Sequence, residues 1–272
     1  MTEATGALRP SAFEALRLAE VDDAIELLRR HGRSSGDLLE IGAGTGWQAQ
    51  ALSKAGFNVE AIDLPPESGI SGHARNRHWP IRDYDGVHIP FPEDSFDIIY
   101  SSDVLEHVTT LDALTEEMRR VLRPGGMALH LLPNPQWRLL SLLTYYPGQA
   151  VDFIRYLRKQ AARAAAATQG DSTTPQARPQ SLLRKAARRL LPPTHGAVGS
   201  AISEVQRYSR QNWDRYFRQR DWEIVEYSNN ELTASGDYLL GPALSIGTRR
   251  WIGRMTGGIA HVYLLRPGKR SV

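Results

Sequence analysis

A short apolar strand running straight into a glycine turn is the feature that most limits what this chain can become. Asp37 to Ile41 reads as the strand, Gly42-Ala43-Gly44-Thr45-Gly46 as the turn, and Trp47 to Lys54 as the helix that the turn opens. Asn58 to Ile62 is a second strand, which completes a strand–helix–strand unit. A crossover of this kind joins parallel strands. Glycines suit the turn because the chain bends sharply there, and missing side chains let a ligand lie against backbone N–H groups at a helix start. Dinucleotide-binding proteins carry G-x-G-x-x-G at this point. Here the third glycine of that spacing falls on Trp47, whose indole would impede the close approach of a pyrophosphate. An NAD-dependent oxidoreductase is therefore disfavoured.

The alternation continues downstream. His78 to Arg82 reads as a third, weaker strand and Phe96 to Tyr100 as a fourth. A helix from Leu111 to Leu122 is closed by Arg123-Pro124-Gly125-Gly126, a strong stop signal, and a fifth strand, Met127 to Leu132, follows at once. An amphipathic helix precedes the unit over residues 10–32, with Leu16, Leu18, Val21, Ile25 and Leu28 spaced for one buried face. Strands alternating with helices predict a parallel sheet covered on both sides. The pattern breaks over residues 138–195, which read as helical and basic, with a polar stretch from Gln169 to Gln180. Regular structure returns with a helix around Arg210 to Arg220 and strands at Trp222 to Tyr227 and His261 to Leu265.

Composition narrows the chemistry. The chain has 272 residues, 41% hydrophobic and 23% charged, which is ample for a core. It has no cysteine, so disulfides, thiolate metal sites and cysteine nucleophiles are excluded. The first 30 residues carry acids and arginines throughout and lack the apolar centre of a signal peptide. A cytoplasmic location is the expectation. The net charge of +3 is uneven: residues 151–195 hold nine basic residues against Asp152 and Asp171.

With Glu40 ahead of it, the G-x-G-x-G turn resembles the first motif of class I S-adenosylmethionine-dependent methyltransferases, of the type 11 kind. The resemblance extends through Asp63 at the end of the second strand, Tyr84 to Asp97, Ser101-Ser102-Asp103-Val104-Leu105-Glu106-His107-Val108, and Arg120 to Gly126. It implies a doubly wound Rossmann-like α/β sheet of about seven strands with a basic helical insertion. The corresponding parts are an N-terminal helical segment at 1–36, a cofactor-binding core at 37–137, an insertion or acceptor cap at 138–203, and completion of the sheet at 204–272. The implied cofactor is S-adenosyl-L-methionine, leaving as S-adenosyl-L-homocysteine. Glu40 and the backbone of Gly42, Ala43, Gly44 and Gly46 would hold its methionine end. Asp63 would hold the ribose and Leu64 would pack on the adenine. Asp85, with Gly86 alongside and Asp83 as the other choice, would accept from the adenine amino group. Ser101 and Ser102 follow the fourth strand, at the edge where such sheets bind ligands.

An alcohol acceptor must lose a proton, and a histidine near it serves as general base. His107, beside Glu106, and His195, where the insertion re-enters the fold, are the two candidates. His130 alternates with apolar neighbours in the fifth strand and reads as structural. Asn134, Trp137 and Arg138 follow that strand and could line the acceptor pocket. Asp103, Glu106 and His107 resemble the acidic and histidine cluster of ubiquinone-pathway O-methyltransferases, which implies a metal-assisted alternative; the principal expectation is no metal.

Residues 181–191 can form a basic amphipathic helix, suited to an anionic membrane or an acidic partner. No RNA-binding module is recognisable, and the Ser-Ser-Asp-Val sequence departs from the Asn/Asp-Pro-Pro-Tyr/Phe motif used on bases, so nucleic acid is not expected. A narrower resemblance, to bacterial methyltransferases of polysaccharide and glycolipid assembly, rests on Tyr84-Asp85-Gly86, Ser101 to Val108, Pro133 to Arg138, Thr194-His195-Gly196 and Val262 to Pro267. It implies O-methylation of a sugar hydroxyl on a glycan, or of another small hydroxylated metabolite, with the insertion touching the inner face of the membrane. The alternatives are a quinone-like or polyketide acceptor, and a non-catalytic scaffold that binds the cofactor.

Overall fold

The computed structural model describes residues 12–65, 77–167, 194–196, 200, 202–233 and 244–268. Helix α1 (Ala12–Arg30) leads into β1 (Gly36–Ile41), α2 (Trp47–Lys54), β2 (Phe57–Asp63) and a two-residue β3 (Arg82–Asp83). Next come β4 (Phe96–Ser102), a 3₁₀ turn at Leu105–His107, α3 (Leu111–Val121) and β5 (Leu122–Pro133). After α4 (Pro135–Ala167), the chain continues through α5 (Ser203–Arg207), α6 (Arg210–Arg218), β6 (Trp222–Asn229), α7 (Ile246–Thr256) and β7 (Ala260–Pro267).

The strands form one seven-stranded sheet in the order β3-β2-β1-β4-β5-β7-β6. The first five are parallel, and β7 runs antiparallel between β5 and β6. The expected doubly wound α/β sheet is what the chain forms. Side chains alternate across each strand, so consecutive apolar residues serve opposite layers. Leu38, Ile98 and Leu129 pack with Val21, Leu28 and Leu52 of α1 and α2. Their neighbours Leu39, Ile99 and Ala128 pack with Leu114 and Met118 of α3 and Trp213 and Phe217 of α6. Runs such as Leu38-Leu39 and Ile98-Ile99 are apolar throughout because both faces are covered. Each fully buried Leu or Ile contributes about 1.5–3 kcal/mol.

Several elements depart from the expected bounds. Residues 78–80 are not strand. The His78 N–H instead donates to the Thr45 carbonyl at 2.7 Å, and the His78 ring lies 4.1 Å from that of Trp47. Only Arg82 and Asp83 join the sheet, since Pro80 brings no N–H to a ladder. Strand β5 starts five residues early, where Leu122 pairs with Phe96 before an irregularity in register. Helix α7 carried no clear sequence signal, because Gly247 and Gly253 interrupt its apolar pattern. A Cβ at Gly253 would lie 2.1 Å from the Glu231 carbonyl, so this glycine lets the helix cross that backbone. On α1, Leu16, Val21, Ile25 and Leu28 are buried as expected, while Leu18 is half-buried. The basic helix expected at 181–191 and the polar stretch at 169–180 lie outside the described residues.

The chain leaves β1 toward β2 and β3 on one side and returns to β4 on the other. Such a reversal opens a crevice at the carboxyl ends of the central strands.

Candidate active site

That crevice is a cavity of about 1040 Å³, bordered by the ends of β1, β2 and β4. One end is the glycine turn. Gly42, Gly44 and Gly46 have φ of 76°, 58° and 83°, a region that side chains disfavour. A Cβ at Gly42 would lie 2.3 Å from Val104 Cγ2, and one at Gly46 would lie 2.5 Å from Trp79 Cβ. Gly44 faces open space instead. The Asp63 carboxylate braces the turn: Gly44 N–H donates to Oδ2 at 2.5 Å and Leu64 N–H donates to Oδ1 at 2.6 Å. A carboxylate has about four acceptor positions, so both oxygens can still take a ligand hydroxyl. Leu64, Tyr84 and Gly86 border the same end.

Glu40 does not reach the cavity wall. It is 1% exposed, and neither carboxylate oxygen is hydrogen-bonded. Burial, and then the nearby Asp63 charge, push its carboxyl up to about 8. A buried acid in this state is available to a cation.

Two histidines line the other end, His107 from the 3₁₀ turn and His195 from the short stretch 194–196. Their rings lie 4.7 Å apart, and Trp137 stands 4.5 Å from His195. Glu106 lies fully buried behind them, with Oε1 3.6 Å from His107 Nε2 and 3.5 Å from His195 Nε2. Burial drives the Glu106 carboxyl up to about 7, against the opposing pull of His195. Burial, then the neighbouring His195, lowers the pKa of His107. The main chain at 195–196 is anchored from below: Glu204 Oε1 accepts from the N–H groups of His195 and Gly196, both at 2.8 Å. Glu204 Oε2 pairs with Arg138 Nε at 2.9 Å.

A family model described as a methyltransferase domain matches residues 39–130, from the first strand through the fifth. An uncharacterised methyltransferase of Mycolicibacterium vanbaalenii is 34% identical over 114 residues, 41% of this chain and 45% of the relative. Another from Mycolicibacterium paratuberculosis is 34% identical over 160 residues, 55% of this chain and 62% of the relative. This chain therefore spans about half the length of the curated relatives it matches. A chain of the solved complex between the Haloferax volcanii Trm112 methyltransferase activator and its methyltransferase has the same fold. It is 14% identical with a TM-score of 0.50, over 95% of this chain and 96% of that one. Residues 39–130 thus match a methyltransferase domain, and the whole chain shares its fold with a solved methyltransferase-complex chain.

Not every expected residue faces the cavity. Ser102 does, whereas Ser101 is buried on the opposite side of the strand with its hydroxyl 2.8 Å from His130 Nδ1. Burial lowers His130 to about 3, which agrees with its structural reading. Asp85 does line the cavity, with an exposed carboxylate that also holds its own loop. It accepts from the N–H groups of Val87 and His88 at 2.8 and 2.7 Å and pairs with the His88 ring at 2.6 Å. The His88 bond and those amides hold its carboxyl down to about 2. Asp83 is bonded to Arg77 at 2.6 Å. Asn134 is buried as the cap of α4, accepting from Trp137 N–H at 2.8 Å and donating to the Gly258 carbonyl at 3.2 Å. Arg138 is buried against Glu204 rather than lining the acceptor side. Asp103 lines the cavity, but Arg17 holds its carboxylate, so the cluster of Asp103, Glu106 and His107 is not assembled.

Sequence reasoning missed Glu14 and Arg17 of α1, which close one wall, and Glu204, which anchors His195. Arg17 sits on the polar stripe of an amphipathic helix, where a charged residue carries no mark of a site.

Proposed function

We propose that this methyltransferase uses S-adenosyl-L-methionine to methylate a hydroxyl group of a small acceptor, with a sugar hydroxyl on a glycan or glycolipid as the leading class. The observation that carries the reading is one cavity with two chemically different ends, an open glycine turn and a carboxylate at Gly42–Asp63, imidazoles at His107 and His195. The first end suits a nucleoside that carries an amino acid. The second suits a group that must give up a proton.

S-adenosyl-L-methionine supplies, when bound, a methyl group on a positively charged sulfur that is already a good leaving group. This chain's part is then mainly positioning, which can lower a barrier by about 7–11 kcal/mol at best. Asp63 would hold the ribose, and the turn at Gly44, where a side chain would stand in open space, would leave room for the amino-acid part. The imidazoles of His107 and His195 border the acceptor, where the departing hydroxyl proton is taken up.

The test is labelled methyl transfer from S-adenosyl-L-methionine into a fractionated lysate of the source cell, with mass spectrometry of the labelled fraction. His195→Ala should lower turnover of the acceptor so found by about a hundredfold, the lower range for a lost acid–base group, with cofactor affinity near normal. Cofactor binding without any methylated product would leave the scaffold reading standing.

Glu40 adds a pH signature. Its carboxyl is pushed up to about 8 and is therefore protonated at pH 7 in the free protein. A cofactor ammonium group in the cavity would bring positive charge toward this acid, which lies behind the wall, and favour its carboxylate, so binding at pH 7 should release part of a proton and tighten as pH rises toward 8. The stability contribution runs the other way. It is full below the ordinary glutamate range and lost as pH rises through the folded value, because only the unfolded chain then ionises freely. Calorimetry in two buffers of different ionisation enthalpy reads the proton; equal heats would remove Glu40 from the cofactor site.

A membrane-bound acceptor is favoured by one further feature. Helix α4 exposes Leu139, Leu143, Tyr146, Ile154 and Leu157, with the exposed basic residues Arg155, Arg158 and Lys159 on its distal part. Apolar and basic side chains together fit the surface of an anionic bilayer. No helix among the described residues is long and apolar enough to cross one. The chain should float with vesicles containing phosphatidylglycerol and not with neutral vesicles, and Leu143→Asp should weaken that binding; equal recovery with both vesicle types would refute it.

A further inference from the structure

The arrangement of Glu106, His107 and His195 does more than place two bases near an acceptor. Glu106 is a fully buried carboxylate, and neither of its oxygens makes a hydrogen bond. The distances of 3.6 and 3.5 Å from Oε1 to the two imidazole nitrogens are long for charge-assisted hydrogen bonds. They match the edge of a coordination tetrahedron: two ligands at about 2.0–2.1 Å from a zinc ion sit roughly 3.4 Å apart. The three ligand atoms all lie within 4.8 Å of one another.

We propose that Glu106, His107 and His195 bind a divalent transition-metal ion, with one coordination position open toward the cavity. The donor set argues for the ion class. Two imidazole nitrogens and one carboxylate suit zinc or a neighbouring first-row ion, whereas magnesium and calcium favour oxygen-only ligands. Three protein ligands and an open position is the composition of a catalytic zinc site, since structural sites are closed by four. The opening is on the cavity side, which both histidines line.

The framework holds the ligands rigidly. Glu106 and His107 belong to one 3₁₀ turn, whose His107 N–H donates to the Val104 carbonyl at 2.9 Å. His195 comes from a distant stretch fastened by the buried Glu204. Gly196 permits the approach, because a Cβ there would lie 2.9 Å from the Glu106 carbonyl and 2.7 Å from the Tyr208 hydroxyl.

The consequence for catalysis rests on the methyl-transfer reading, although the ion site itself does not. With the ion bound the two imidazoles are ligands in place of bases, and an acceptor hydroxyl taking the open position would be acidified by the ion and release its proton to solvent. Its oxygen would then bond the methyl carbon while the sulfur–carbon bond breaks, the electron pair staying on sulfur.

The experiment uses the full chain, dialysed against chelator and titrated with Co²⁺ and then Zn²⁺, without cofactor or acceptor. One equivalent of Co²⁺ should give visible absorption bands of low coordination number, and Zn²⁺ should displace it stoichiometrically. Glu106→Gln and His195→Ala should each weaken Zn²⁺ binding at least tenfold, with circular dichroism checking that they fold. His31→Gln, outside the cavity, should leave it unchanged. Absence of a stoichiometric site, or one that both variants retain at full affinity, overturns the proposal. Cofactor affinity of the chelated protein is measured in parallel. Cofactor binding without a metal site sinks this inference alone, and a metal site without cofactor binding sinks only the methyl-transfer reading.

Discussion

Glu204→Ala is expected to lower the unfolding free energy by about 3–5 kcal/mol, the usual loss when one member of a buried ion pair is removed. Glu204 is fully buried, with Oε2 2.9 Å from the nearly buried Arg138 and Oε1 accepting two backbone N–H bonds. Deleting the carboxylate takes the counter-charge from Arg138 and strips two amides of their acceptor together. Urea unfolding of the two proteins measures the loss. Glu204→Gln should recover part of it, because an amide carbonyl can still accept from His195 and Gly196. A loss below about 1 kcal/mol, within the range of ordinary substitutions, would mean that the interior rearranges around Arg138. Since the same two amides carry His195, the alanine variant should also lose turnover more steeply than cofactor affinity.

Asp63→Ala is expected to weaken S-adenosyl-L-methionine binding at least tenfold, which is about 1.4 kcal/mol. Two effects add. The ribose loses its carboxylate partner, and the glycine turn loses the brace between Gly44 N–H and Asp63 Oδ2. The cradle is then less well ordered before the cofactor arrives, so part of the binding energy goes into ordering it. Titration calorimetry distinguishes a weakened site from an unaffected one, and unchanged affinity would take Asp63 out of the site. Asp63→Asn keeps an acceptor for one amide only and should fall between the two.

The two ends of the cavity were legible to different degrees. The turn at Gly42–Gly46 and the acid at Asp63 belong to one strand–helix–strand unit, and local signals locate each of them. Their roles follow because adjacent parallel strands end side by side, with Ile41 opposite Ile62. Pattern alone misjudged residues that look alike in a sequence and differ in environment. Ser101 and Ser102 are neighbours, but the strand pleat turns one to His130 and the other to the cavity. Asn134 and Arg138 were expected at the ligand edge; one caps a helix and the other pairs with a buried acid.

From the order of its residues alone, this protein's sheet, its layered core and the glycine turn that borders the cavity could be read, because period-two burial and turn chemistry are local properties of a chain. The joining of His195 to Glu106 and His107, and the loss of Asp103 to Arg17, could not. Those contacts link distant segments, and which side chains meet there depends on how whole layers pack, a quantity no short window of sequence contains.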